Sequence, residues 1–174
     1  MKLIDRLIRQ WRFSKARIFV EGDCLDVGCH DGSWLASLPL GHHLGIDSAL
    51  PDKTYWKDVQ TSFPSGRDFN TISCLATYEH FQHHDQELFW KHAVNCLRTN
   101  GKIVMTIPHS FVDVILYLLV GLRLADGMET HQHVKVETAD VIEKAWEHKL
   151  RLVKVAPFML GLNRVFVFEK INVQ

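Results

Sequence analysis

Residues 23–32 read Asp23-Cys24-Leu25-Asp26-Val27-Gly28-Cys29-His30-Asp31-Gly32. The first five, DCLDV, form a short apolar run that Gly28 closes, and the segment Ser33 to Leu38 that follows is compatible with a helix. His43 to Ile46, closed by Asp47, is a second run of the same kind. A strand, a helix and a strand in this order predict two parallel neighbours with a crossover, because a parallel pair cannot be joined by a tight hairpin.

Outward from this unit the alternation continues. Thr71 to Ala76 (TISCLA) reads as another buried strand. Gln86 to Leu97 carries Leu88, Phe89, Ala93, Val94 and Leu97 at helical spacing, and Asn100-Gly101 gives a turn signal after it. Lys102 to Ile107 (KIVMTI), stopped by Pro108, is a further strand, and Thr138 to His148 a helix with Thr138 as its N-cap. Leu152 to Val155 and Val165 to Glu169 pair as a C-terminal antiparallel hairpin. The predicted architecture is α/β: a doubly wound, mostly parallel sheet with helices on both faces and a C-terminal hairpin, in one domain over residues 1–174.

Composition sets limits on function. Lys plus Arg and Asp plus Glu are 20 each among 174 residues, so no global positive field gathers nucleic acid, and no nucleic-acid partner is expected. Val114 to Leu122, in the most apolar region, is nine residues without a charged side chain, against the roughly 20 that span a bilayer, so no transmembrane segment is expected. Met1 to Glu21 mixes charges with apolar residues as an amphipathic helix does, not as a secretion signal does. Cys24, Cys29, Cys74 and Cys96 contain no C-x-x-C pair and read as reduced core thiols, which points to the cytoplasm.

In doubly wound sheets ligands bind beyond the carboxyl ends of the strands. Attention therefore falls on the Gly28–Gly32 loop and on Asp47, whose carboxylate suits the two hydroxyls of a ribose. The same glycines also make an ordinary tight strand-to-helix turn, and Asp47 also serves as a loop cap, so the loop alone leaves both readings open. A dinucleotide fingerprint, G-x-G-x-x-G, is not present, and Asp31 at the helix start would repel a pyrophosphate.

The D-V-G-C-x-x-G loop and the GIDSA segment resemble the first motif and second-strand acid of the class I S-adenosylmethionine-dependent methyltransferases, in particular the small-molecule type. Lys57-Asp58-Val59-Gln60 ahead of Phe63-Pro64, and Phe69-Asn70-Thr71-Ile72 followed by Tyr78-Glu79-His80-Phe81, resemble later motifs of that family in the same order. Leu97 to Pro108 resembles its fifth strand, and the terminal hairpin its reversed seventh strand. The resemblance implies a seven-stranded type of sheet and S-adenosylmethionine as cofactor. It implies contacts from Asp26, Gly28, His30 and Gly32 in the loop, Asp47 and Ser48 at the ribose, Asp58 and Val59 at the adenine, and Leu75 at the fourth strand's end. Two differences stand out. His30 occupies a position where the family has glycine, and the chain between Asp47 and Thr71 is short, predicting a trimmed sheet edge.

Methyl transfer from a sulfonium needs orientation more than a nucleophile, and a general base helps when the acceptor is a hydroxyl. His80 and His109 are candidate bases, with His133 and His131 weaker ones; the alternative for His80 is a helix-start residue bonding a neighbouring loop, and for His109 an exposed loop histidine. His80, His83 and His84 with Glu79 and Asp85 contain metal-ligand types but no identifiable further ligand, and no metal is assigned. The expected activity is transfer to a small-molecule or carbohydrate-type acceptor, and the alternative is an inactive binding or scaffold protein that retains the fold. Phe111 to Ala125 (FVDVILYLLVGLRLA), charged only at Asp113 and Arg123, is expected to cover the acceptor site and to offer an apolar contact to substrate, membrane or a second copy as a homodimer; the alternative is a wholly buried core helix.

Overall fold

The structure, a computed structural model, describes residues 3–48, 58–109 and 136–171. His133 and the apolar stretch 111–125 lie outside the described residues, as does His131. Helix α1 (Leu3–Arg17) precedes β1 (Cys24–Val27), α2 (Ser33–Ala36), β2 (Leu44–Ile46) and β3 (Val59–Gln60). Then follow β4 (Phe69–Leu75), a 3-10 turn (Tyr78–His80), α3 (His83–Cys96), β5 (Leu97–Pro108), α4 (Thr138–Glu147), β6 (Leu150–Phe158) and β7 (Asn163–Lys170).

The seven strands form one sheet in the order β3-β2-β1-β4-β5-β7-β6. The first five are parallel, whereas β7 runs antiparallel to both β5 and β6. The edge expected to be trimmed is shortened, not lost: β3 is two residues long and pairs Gly45 with Val59 and Ile46 with Gln60.

Each central strand is apolar on both faces, so alternate residues feed two cores. On one side Ile103, Met105, Ile107, Phe166 and Phe168 pack under α3 (Phe89, Trp90, Ala93) and α4 (Val141, Ala145). On the other, Val104, Val165 and Val167 meet α1 (Phe13, Ala16) and α2 (Trp34, Leu35). All four cysteines are unpaired and buried in these cores.

Two local expectations are corrected. Asn100-Gly101 does not separate helix from strand; it lies inside β5 as a bulge, with four residues between Leu97 and Lys102 set against the single Asn70 of β4, and Asn100 at φ 60°. Thr138 is the first helical residue, not the cap, and its Oγ1 accepts a hydrogen bond from Arg164. The cap position is Glu137, which makes no side-chain cap hydrogen bond. No helix among the described residues is long and apolar enough to cross a membrane.

Candidate active site

The strand order turns between β1 and β4, the place where a doubly wound sheet opens a crevice at its carboxyl edge. The β1–α2 loop folds over this edge and is held there by backbone bonds. The N–H groups of Gly28 and Cys29 donate to the Ile46 carbonyl at 2.8 and 3.1 Å, and the His30 N–H donates to Asp47 Oδ2 at 2.8 Å. Loop and second-strand acid are thus one assembly. Three residues of the loop have positive φ: Gly28 (80°), His30 (45°) and Gly32 (71°). His30 adopts the left-handed conformation that glycine takes at no steric cost, and its ring projects largely into solvent.

Gly28 is required for packing within the protein. A Cβ there would lie 2.3 Å from the side chain of Thr77, just past β4. The missing side chain lets Thr77, and with it the Tyr78–His80 turn, settle on the loop. That turn is fixed from below by aromatic contacts: Tyr78 packs edge-on against Phe89 and Trp90, and Trp90 Nε1–H donates to the Tyr78 hydroxyl at 2.9 Å. His80 is exposed at the crevice rim. His109 follows β5, is half-buried, and is pinned by its N–H to the Leu162 carbonyl at 2.8 Å.

Asp26 lies deeper than the loop. Its carboxyl is buried and accepts a hydrogen bond from Ser73 Oγ at 2.6 Å, while Trp34 Nε1–H donates to the same Ser73 oxygen at 2.9 Å. Burial raises its pKa to about 7, against the Ser73 bond, which lowers it; the Asp47 charge adds to the rise. Asp26 thus ties β1 to β4 through Ser73. Cys29 beside it is pushed up to about 12, first by burial and then by Asp26 and Asp47, so it is an inert thiol. Its Sγ fills the space above Gly45, where a Cβ would approach it to 2.6 Å.

Helix α1 contributes two arginines that sequence reading left out of the site. Arg9 Nη1–H donates to Asp31 Oδ2 at 2.7 Å. Burial works to raise the Asp31 carboxyl, but hydrogen bonds from Ser33 and Arg9 outweigh it and hold the group below its ordinary range. Arg12 is half-buried and feels the charge of the buried Glu79; desolvation lowers the guanidinium pKa and Glu79 opposes the fall. The signal was present in the sequence, since Arg9 and Arg12 share the inward face with Phe13 and Ala16.

Other expected contacts lie elsewhere. Asp58 stands ahead of β3, its carbonyl accepting the Gly45 N–H at 2.8 Å, on the amino side of the sheet and away from the crevice. There it lines a polar groove of about 570 Å³ with Asp23, His42, Arg67, Asp68 and Arg98. The third strand instead brings Gln60 to the crevice, its carbonyl accepting the Asp47 N–H at 3.0 Å. Val59 and Leu75 are half-buried in the core beneath α1 and α2, and Ser48 is exposed beside Asp47. Among the described residues no group of three His, Cys, Asp or Glu is arranged to hold a metal ion.

Comparison with known proteins agrees with this fold. Residues 2–149 match the family described as "Methyltransferase domain". The chain belongs to the class I S-adenosylmethionine-dependent methyltransferases. No curated protein is a significant sequence match. Among solved structures, this methyltransferase resembles an S-adenosylmethionine-dependent methyltransferase from Clostridium acetobutylicum (TM-score 0.62, 12% identity, 97% of this chain and 96% of that one). It also resembles magnesium protoporphyrin IX methyltransferase from Synechocystis with bound SAH (TM-score 0.58, 13% identity, 95% and 81% of the two chains). A third, mitomycin 7-O-methyltransferase, covers 94% of this chain with 54% of its own length (TM-score 0.66, 11% identity). At these identities the likeness is one of fold.

The crevice of this methyltransferase fits S-adenosylmethionine by its donor set. An acid at the β2 tip suits ribose hydroxyls, and a loop with three positive-φ residues lets backbone approach a ligand closely.

Proposed function

We propose that the chain transfers the methyl group of S-adenosylmethionine to a small-molecule acceptor bound beside the carboxyl ends of β4 and β5. The reading rests on one observation above all, the β1–α2 loop closed onto the Asp47 carboxylate at the turn in strand order. The solved relatives named above act on a porphyrin and on mitomycin, which supports a small organic acceptor. The buried, unpaired thiols support a reducing compartment, the cytoplasm.

The bound cofactor supplies an electrophilic methyl carbon. The protein's part is to hold the acceptor in line with it and to exclude water, which supplies roughly 7 to 11 kcal/mol of the barrier. Asp47 accepts ribose hydroxyls, and Gln60 with Ser48 borders the nucleoside. Asp26 ties β1 to β4 and does not touch substrate. His80 and His109 stand at the rim, where an imidazole removes the proton of a hydroxyl acceptor as the new bond forms.

Native mass spectrometry of the purified protein tests cofactor retention, and a labelled-methyl assay against a metabolite extract tests transfer. Incorporation of label supports the proposal. Retention of the cofactor without transfer favours the alternative of a binding protein, for which the His30 N–H already engaging Asp47 is the supporting observation. Failure of both measurements overturns the proposal.

A further inference from the structure

Helix α1 faces inward through Phe13, Ala16, Arg9 and Arg12, and its outward face is unusual. Leu3, Leu7, Trp11 and Ile18, just past the helix end, are 61%, 58%, 47% and 73% exposed. Their spacing of four, four and seven residues places them in one stripe along the helix. On one flank of that stripe run Arg6, Gln10 and Arg17, and on the other Lys15, all exposed.

The chain has no net charge, yet α1 carries five cations (Arg6, Arg9, Arg12, Lys15, Arg17) against one carboxylate, Asp5. Arg9 is engaged with Asp31, and Arg12 faces Glu79. The three cations left on the outside are those bordering the apolar stripe.

We infer that the outward face of α1 docks on a membrane surface bearing anionic phospholipid headgroups. The apolar stripe enters the boundary between headgroups and acyl chains, Trp11 sits at the depth tryptophan prefers, and Arg6, Lys15 and Arg17 remain level with the phosphates. The helix lies in the plane of the interface and does not cross it. A second copy of the chain fits this face less well. A two-fold contact would bring basic flanks against basic flanks, and four side chains supply far less area than the roughly 800 Å² per partner of a stable interface. The inference is independent of methyl transfer, since none of these residues lies in the crevice.

Vesicle flotation with the full-length protein tests it. The protein should float with vesicles containing phosphatidylglycerol and remain at the bottom with phosphatidylcholine alone. Arg6→Gln/Lys15→Gln/Arg17→Gln should weaken flotation by about tenfold, and Leu7→Ser/Trp11→Ser by at least about as much, while both keep the parent's circular dichroism spectrum. No flotation of the parent with anionic vesicles overturns the inference, as does flotation that neither variant alters. A dimer by light scattering that Leu7→Ser/Trp11→Ser converts to monomer, with no flotation, also overturns it and assigns the face to a second copy.

Discussion

At the scale of single residues, Asp26 and Asp47 are two carboxylates at neighbouring strand ends with opposite duties. Asp47 is half-buried at the tip and turned to the loop, so Asp47→Ala should weaken S-adenosylmethionine binding by about 2 kcal/mol or more, read by titration calorimetry. Unchanged affinity in a folded variant would remove the ribose contact from the site. Asp26 binds its proton more tightly folded than unfolded, with a folded pKa raised to about 7. Its contribution to stability is therefore present in full below the unfolded value near 4 and is lost as the pH rises through 7, at up to about 1.4 kcal/mol per pH unit. Asp26→Asn should flatten that part of the profile in urea unfolding between pH 4 and 8; identical slopes in parent and variant would show that the carboxyl titrates normally. Asp31, held low, acts with the opposite sign and only at more acidic pH. His30→Gly removes a side chain from a left-handed position and should raise stability by about 1 kcal/mol, seen as a higher melting temperature.

At the scale of elements, α1 is tied to the carboxyl edge by the Arg9–Asp31 ion pair, and Arg12 adds an electrostatic attraction to the buried Glu79. Arg12→Leu should cost about 1 kcal/mol or more, and a double-mutant cycle with Glu79→Leu should show a favourable coupling between the two groups; additive losses would show that they do not interact. Most of the elements were legible in the sequence, because strands buried on both faces read as unbroken apolar runs and α3 repeats its apolar residues at helical spacing. Their ends and offsets were less so. The bulge at residues 98–101 looked like a turn because Asn100-Gly101 carries turn chemistry wherever it stands, and only the pairing of Leu97 with Phe69 makes it part of β5. Asp58 fell at the wrong end because a strand as short as β3 has no periodicity from which to fix its register. The inward arginines of α1 share a helical face with Phe13 and Ala16, but a sequence does not show which carboxylates await them.

At the scale of the whole molecule, the sheet joins a parallel part that presents the crevice to an antiparallel hairpin that closes the far side. The hairpin is also tied to the other layer, for the Lys170 ammonium at the end of β7 donates to the Val94 and Leu97 carbonyls where α3 gives way to β5, at 2.8 and 2.7 Å. Lys170→Ala should lower stability by about 1 to 2 kcal/mol in chemical denaturation while leaving cofactor affinity unchanged, and an equal loss of affinity would mean that the hairpin shapes the crevice. The strand order carries a consequence for synthesis. β7 follows both β5 and β6 in the chain and must slide between them. Until it arrives, β5 keeps a bare row of amides and carbonyls, and the nascent protein is adhesive while residues 109–162 are made. A chain arrested between residues 109 and 162 should therefore hold chaperones that the insertion of β7 sheds.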